Sequence, residues 1–157
     1  MASGRFAMAA HALALLAGAE EGRPSALLAS SVNTHAVFLR RILRDLVAAG
    51  LLEAREGRSG GYRLTRPARE ITLAQVYRAI EPEGPLAASS SEPSYRCPVG
   101  AGMRAAFAEA ARAAERGLLS ALEHRTVADL ARAAVRLGKG RRPRKRGRSA
   151  AGPGLCL

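Results

Sequence analysis

Thr34-His35-Ala36-Val37-Phe38-Leu39-Arg40-Arg41-Ile42-Leu43-Arg44-Asp45-Leu46-Val47-Ala48-Ala49-Gly50 is the stretch that decides the fold. At about 100° per residue, Leu39, Ile42, Leu43, Leu46 and Gly50 fall on one side of a helix. Thr34, Val37, Arg41, Arg44 and Ala48 fall on the other, with Arg40 at the boundary. The spacing predicts a helix over residues 35–49, stopped by Gly50. A helix that buries leucine and shows arginine has two common uses: a solvated surface or a reader of nucleic acid. Guanidinium groups reach phosphates anywhere on a duplex and pair bidentately with guanine, and a helix N-terminus offers free N–H groups to a phosphate.

The flanks favour the second use. Upstream, residues 4–17 read as a helix ended by Gly18, and Ser25 is placed to cap a short helix over 26–30 with Leu27 and Leu28 inward. A polar break at Ser31, Asn33 and Thr34 separates that helix from the next. Downstream, residues 51–55 and 62–65 read as two short strands joined by Glu56-Gly57-Arg58-Ser59-Gly60-Gly61, whose three glycines permit positive backbone angles. The expected fold is mainly α: a winged helix-turn-helix with a two-stranded wing, followed by C-terminal helices. Arg55, Arg58 and Arg63, in and beside the Gly-rich tip with Gly60, suit a wing that follows the phosphate backbone or enters the minor groove.

Farther along, Thr72 caps a helix over 73–80 with Leu73, Val76 and Ile80 on one face, and 81–94 is a Pro/Gly/Ser-rich loop. Met103, Phe107, Ala110, Ala114, Leu118 and Leu122 recur at three- and four-residue spacing, which predicts a long helix over 99–123. Thr126 caps a last helix over 127–137. The organisation expected is a winged helix-turn-helix DNA-binding domain at 1–81, a loop at 82–98, a helical region at 99–137 and a disordered basic tail at 138–157.

Composition agrees with a polyanion-binding class. The chain of 157 residues is one domain in length, 48% hydrophobic, with three Phe, three Tyr and no Trp, so its core is aliphatic. Basic residues number 25 against 13 acidic ones, for a net charge of +12, and that excess points to nucleic acid or an anionic surface. Lys139, Arg141, Arg142, Arg144, Lys145, Arg146 and Arg148 crowd the tail, where no acid occurs. Arg5 before the apolar run 6–17 looks somewhat like a signal peptide, but His11 interrupts the run and one positive charge precedes it. No run is long enough to span a bilayer, so a cytoplasmic chain with no membrane partner is expected. Two cysteines make no disulfide framework, and three scattered histidines make no zinc site. No catalytic triad, Walker loop or dinucleotide fingerprint occurs, so no enzyme is expected.

These residues resemble the Rrf-two (BadM-type) family of bacterial transcription regulators. The resemblance is carried by Ser30-Ser31-Val32-Asn33-Thr34-His35, Leu39-Arg40-Arg41-Ile42-Leu43 with Leu46, Ala49-Gly50-Leu51-Leu52 and Gly57-Arg58-Ser59-Gly60-Gly61-Tyr62-Arg63-Leu64, and it continues through Ile71–Ile80. Ser3-Gly4-Arg5-Phe6-Ala7 with His11, and Cys97-Pro98-Val99-Gly100, are similar to its YwnA-like branch. The resemblance covers residues 1–135 and implies a homodimer joined by long C-terminal helices, with 99–137 as the dimerisation region, binding palindromic double-stranded DNA, usually as a repressor. By position it also implies Thr34, His35, Val37, Arg40 and Arg41 as the groove-facing start of the reading helix. Glu56 stands where several members place an arginine, so Arg55 or Arg58 would substitute in the minor groove.

Well-studied members hold an iron–sulfur cluster on three closely spaced cysteines, whereas this chain has Cys97 alone in that region. One thiolate is not a cluster site, and no cofactor is expected. Cys97 precedes a helix and neighbours Arg96, which would favour a redox-sensing thiolate; a small apolar side chain in a dimer interface is the other reading. Two alternatives to a specific regulator also stand: a nucleoid- or RNA-binding protein working through its tail, and an adaptor that has kept the wing but lost DNA binding.

Overall fold

A computed structural model describes residues 4–19, 21–57, 60–82, 86 and 92–139. In chain order the elements are α1 (Arg5–Leu16), α2 (Ser25–Val32), α3 (Ala36–Ala48), β1 (Leu52–Arg55), β2 (Gly61–Leu64), a 3-10 turn (Ala68–Glu70), α4 (Leu73–Ile80), α5 (Pro98–Glu123) and α6 (Val127–Gly138). The fold is the expected winged helix-turn-helix with helices after the wing. No helix among the described residues is long and apolar enough to cross a membrane.

The leucine side of α3 is the centre of the core. Leu39, Ile42, Leu43 and Leu46 are fully buried, each stabilising the fold by about 1.5–3 kcal/mol. They meet Leu13 and Leu16 of α1, Leu28 of α2, Ile71, Val76 and Ile80 around α4, and Val127 of α6 in one cluster. Gly50, assigned by spacing to that inner side, is exposed. Its role is conformational: a φ of 68° puts it in the left-handed region, and Leu51 N–H then donates to the Leu46 carbonyl at 3.0 Å. That stop turns the chain into β1.

The turn before α3 depends on Asn33, whose φ of 58° makes it the C-cap of α2. Asparagine tolerates that conformation better than most residues. Ser25 is the first residue of α2 rather than its cap, because Pro24 holds the cap position in extended backbone. His11 lies exposed on α1, with Nε2 3.4 Å from Ser31 Oγ, and not in the core.

β1 and β2 pair antiparallel with Leu52 opposite Leu64, Glu53 opposite Arg63, Ala54 opposite Tyr62 and Arg55 opposite Gly61. Tyr62 also exchanges both main-chain hydrogen bonds with Arg23, at 2.9 and 3.0 Å, which lays the chain before α2 against the outer edge of β2. Gly61 is required there: its φ is 152°, and a Cβ would lie 2.5 Å from the Arg23 carbonyl.

Thr72 caps α4 and Thr126 caps α6, each in a reciprocal box with Gln75 or Asp129. The two N-termini are joined by main chain, Leu73 N–H to Arg125 O at 2.8 Å and Val127 N–H to Ile71 O at 2.9 Å. α6 is thereby held against the α1–α4 body, while α5 packs chiefly on α4.

The stripe read on α5 divides into two faces. Leu118 and Leu122 are half-buried with Ala108, Ala111 and Leu119, whereas Met103, Phe107, Ala110 and Ala114 are exposed. No residue of this 26-residue helix is buried.

Candidate nucleic-acid interface

The outward side of α3 follows from its inward one. With Leu39, Ile42, Leu43 and Leu46 pinned in the core, Val37, Arg40, Arg41 and Arg44 must face solvent, and all four are exposed. Val37 keeps 60% of its surface accessible, so its methyl groups are free to meet an apolar group such as a thymine methyl. Among the described residues Arg40 and Arg41 make no hydrogen bond or ion pair. Arg44 makes one contact, with Asp45 at 3.4 Å. Asp45 itself is engaged by Arg5 at 2.6 Å.

Thr34 is half-buried in the turn, where its N–H donates to the Ala29 carbonyl at 3.0 Å. His35 is exposed at the N-cap of α3 and its side chain makes no capping bond. The N–H groups of the first turn of α3 are therefore left without a side-chain cap, and its imidazole points to solvent.

The wing has a core face and a charged face because strand side chains alternate. Leu52, Tyr62 and Leu64 pack on or against the core. Glu53, Arg55 and Arg63 share the opposite face. The Glu53 carboxylate accepts a hydrogen bond from Arg63 Nε and lies 3.4 Å from Arg55 Nε. The Arg63 hydrogen bond, with both guanidinium charges, holds the Glu53 carboxyl below its ordinary pKa against the opposing effect of desolvation. Gly60 is half-buried at the base of the tip, its N–H donating to Gly57 O at 3.0 Å. Arg58 lies outside the described residues.

The described ones among the predicted DNA-contact residues thus fall into two groups, one on α3 and the turn before it and one on the hairpin. Sequence reasoning missed Glu53. Its signal was available in the alternation Glu53-Ala54-Arg55 and in the hairpin register that sets Arg63 opposite.

Cys97 is the N-cap of α5, exposed and free, so within a single chain it is not a buried apolar side chain. It is remote in the element order from both arginine groups.

A helix that exposes Arg40 and Arg41 without acidic partners among the described residues, followed directly by a hairpin with a charged face, is the layout of a winged helix-turn-helix. Residues 2–133 match the family model described as "Rrf2: Iron-dependent Transcriptional regulator". The chain belongs to the Rrf2 family, whose members are transcription regulators rather than enzymes. It is 33% identical over 130 residues to the HTH-type transcriptional regulator YwnA of Bacillus subtilis (strain 168), covering 83% of this chain and 96% of that protein. A crystal structure described as a DNA-binding protein superposes with a TM-score of 0.64 at 30% identity, covering 80% of this chain and 97% of the other. A transcriptional regulator from Lactobacillus plantarum gives 0.65 at 26% identity, over 85% and 90% of the two chains.

The family description names iron, which needs several protein donors. Among the described residues no three His, Cys, Asp or Glu side chains gather where a metal ion could sit, and Cys97 is the single thiol there. A cluster or an iron ion needs several such ligands. The described residues do not fit either group.

Proposed function

We propose that this chain is a sequence-specific, homodimeric repressor that reads double-stranded DNA with α3 and steadies it with the wing. The observation that carries the reading is the pair Arg40 and Arg41, exposed on a helix whose other side is locked into the core. Thr34, His35, Val37 and Arg44 complete the groove-facing surface, and Arg55, Arg58, Gly60 and Arg63 the wing contact. Phosphate contacts by such arginines fix register, while contacts to base edges specify sequence.

The exposed face of α5 supports the dimer. Met103, Phe107, Ala110, Ala114, Gly117 and Ala121 are all exposed and follow one another by alternating steps of four and three residues, the spacing of a helix–helix seam. Turned antiparallel about Arg112, a second copy would set Phe107 against Gly117 of the partner subunit and Met103 against the partner's Ala121. Large then meets small at both ends, whereas a parallel pair would stack Phe107 on itself. Residues 99–137 are accordingly the dimerisation region.

Repression follows where the bound sites overlap promoters. Genome-wide mapping of bound sites, with a reporter at the strongest, tests this: reporter expression should rise when the regulator is deleted. In gel-shift titration Arg41→Ala and Arg58→Ala should each weaken binding without changing dimer size. Unchanged affinity in both variants would overturn the assignment. Deleting 138–157 separates this reading from a tail-driven nucleic-acid binder, which would lose nearly all affinity.

A further inference from the structure

The three charged groups on the outer face of the wing are not three independent side chains. Register puts Glu53 directly opposite Arg63, and Arg55 is two residues along the same strand and so on the same face. The carboxylate is hydrogen-bonded to Arg63 and 3.4 Å from Arg55. Glu53 and Arg63 are about equally accessible, at 39% and 35%, and Arg55 at 60%. All three remain within reach of solvent, so a phosphate could approach the same guanidinium groups. The contrast with α3 is direct, since Arg40 and Arg41 have no acidic partner among the described residues.

Resting on the DNA-binding reading, we infer that Glu53 is a positioning residue that sets how well the regulator discriminates its own sites from random duplex. Glu53 has two opposed effects. It subtracts one charge from the wing, which weakens the sequence-independent attraction to any phosphate backbone. It also gathers two long, rotamer-rich side chains into one arrangement before binding, which lowers the ordering cost of a complex whose register is fixed by α3. A random complex gains little from that order, because its register is not fixed. Removing the carboxylate should therefore favour random DNA more than the selected site.

The test uses the full chain, a random-sequence duplex, and a duplex of equal length enriched by the wild-type protein from a random pool. Glu53→Gln should bind the random duplex about two- to fivefold more tightly. Its plot of log affinity against log salt should steepen by about one unit, and its preference for the selected duplex should fall. In an Arg55→Gln/Arg63→Gln background the same Glu53→Gln change should leave the preference for the selected duplex unaltered, as expected if the ordering acts through the two arginines. Unchanged salt slope, equal gains on both duplexes, or the same loss of preference without the arginines would each overturn the inference. If the wild-type chain enriched no duplex and bound none, the DNA-binding reading itself would fall and take this one with it; the other outcomes leave it standing.

Discussion

Arg5 and Asp45 join the start of α1 to the last turn of α3, with the guanidinium Nη2 2.6 Å from the Asp45 carboxylate. The same guanidinium donates to the Ile80 carbonyl at the end of α4, at 3.3 Å. One side chain thus ties α1 to both α3 and α4. Arg5→Ala should lower stability by about 1 kcal/mol, because both ion-pair partners are partly accessible. Urea titration at fixed protein concentration would measure it, and an unchanged midpoint would show the tie to be without consequence.

The two sides of α3 should respond to mutation in opposite ways. Leu43→Ala removes a fully buried side chain and should cost about 2–5 kcal/mol. Val37→Ala and Arg40→Ala, on the exposed side, should leave stability within about 0.5 kcal/mol while weakening binding to the selected duplex. A thermal melt beside a gel-shift titration separates the two effects; equal destabilisation by all three would contradict the assignment of faces.

The seam on α5 gives a size prediction. Phe107→Glu should convert the proposed dimer to monomer in sedimentation equilibrium, since it would place a charge in an apolar contact. Gly117→Leu should do the same if the helices run antiparallel, by filling the space left for Phe107 of the partner subunit. A dimer that tolerates both would exclude this pairing.

Asp129 links α6 to pH. Its carboxyl accepts hydrogen bonds from the Thr126 backbone and side chain and lies beside Arg132, which hold its pKa down from 3.8 to about 2. Because the folded carboxyl titrates lower than the unfolded one, its contribution is whole above pH 3.8 and fades as pH falls towards 2. Asp129→Asn should flatten the stability profile in that window. Urea midpoints measured from pH 2 to 5 check this, and parallel profiles for the two proteins would refute it.

Gly61 is constrained by both its backbone angle and the close approach of Arg23. Gly61→Ala would force a methyl group into the Arg23 carbonyl and should separate the hairpin from the chain before α2. Hydrogen exchange at the Tyr62 amide reads this directly: protection should drop in the variant, and retained protection would refute the close approach.

Much of this was legible in the sequence because few signals competed. The leucine spacing in α3, the Gly50 stop and the Thr72 and Thr126 caps each have one physical meaning, and each element lies within a residue or two of its expected bounds. The arginine side of α3 followed by elimination. Less legible was anything that depends on cross-strand register or on neighbours distant in sequence. Glu53 is set opposite Arg63 by cross-strand register, which residue types alone do not fix. The division of the α5 stripe into two faces depended on where α4 lies, which spacing alone does not tell. Similarly, the main-chain exchange between Arg23 and Tyr62 leaves no mark in side-chain pattern, since backbone groups carry it.

The main-chain bridge between Ile71–Leu73 and Arg125–Val127 has a mechanical consequence. It clamps the end of α5 to the body that carries α3, so in the proposed dimer the long helix behaves as a strut and not a tether. At about 1.5 Å per residue, its 26 residues give a rod of about 39 Å, comparable with the roughly 34 Å between half-sites one helical turn apart. In the proposed dimer the separation of the two α3 helices would then be set by this scaffold, and a palindromic target with its halves respaced should bind more weakly.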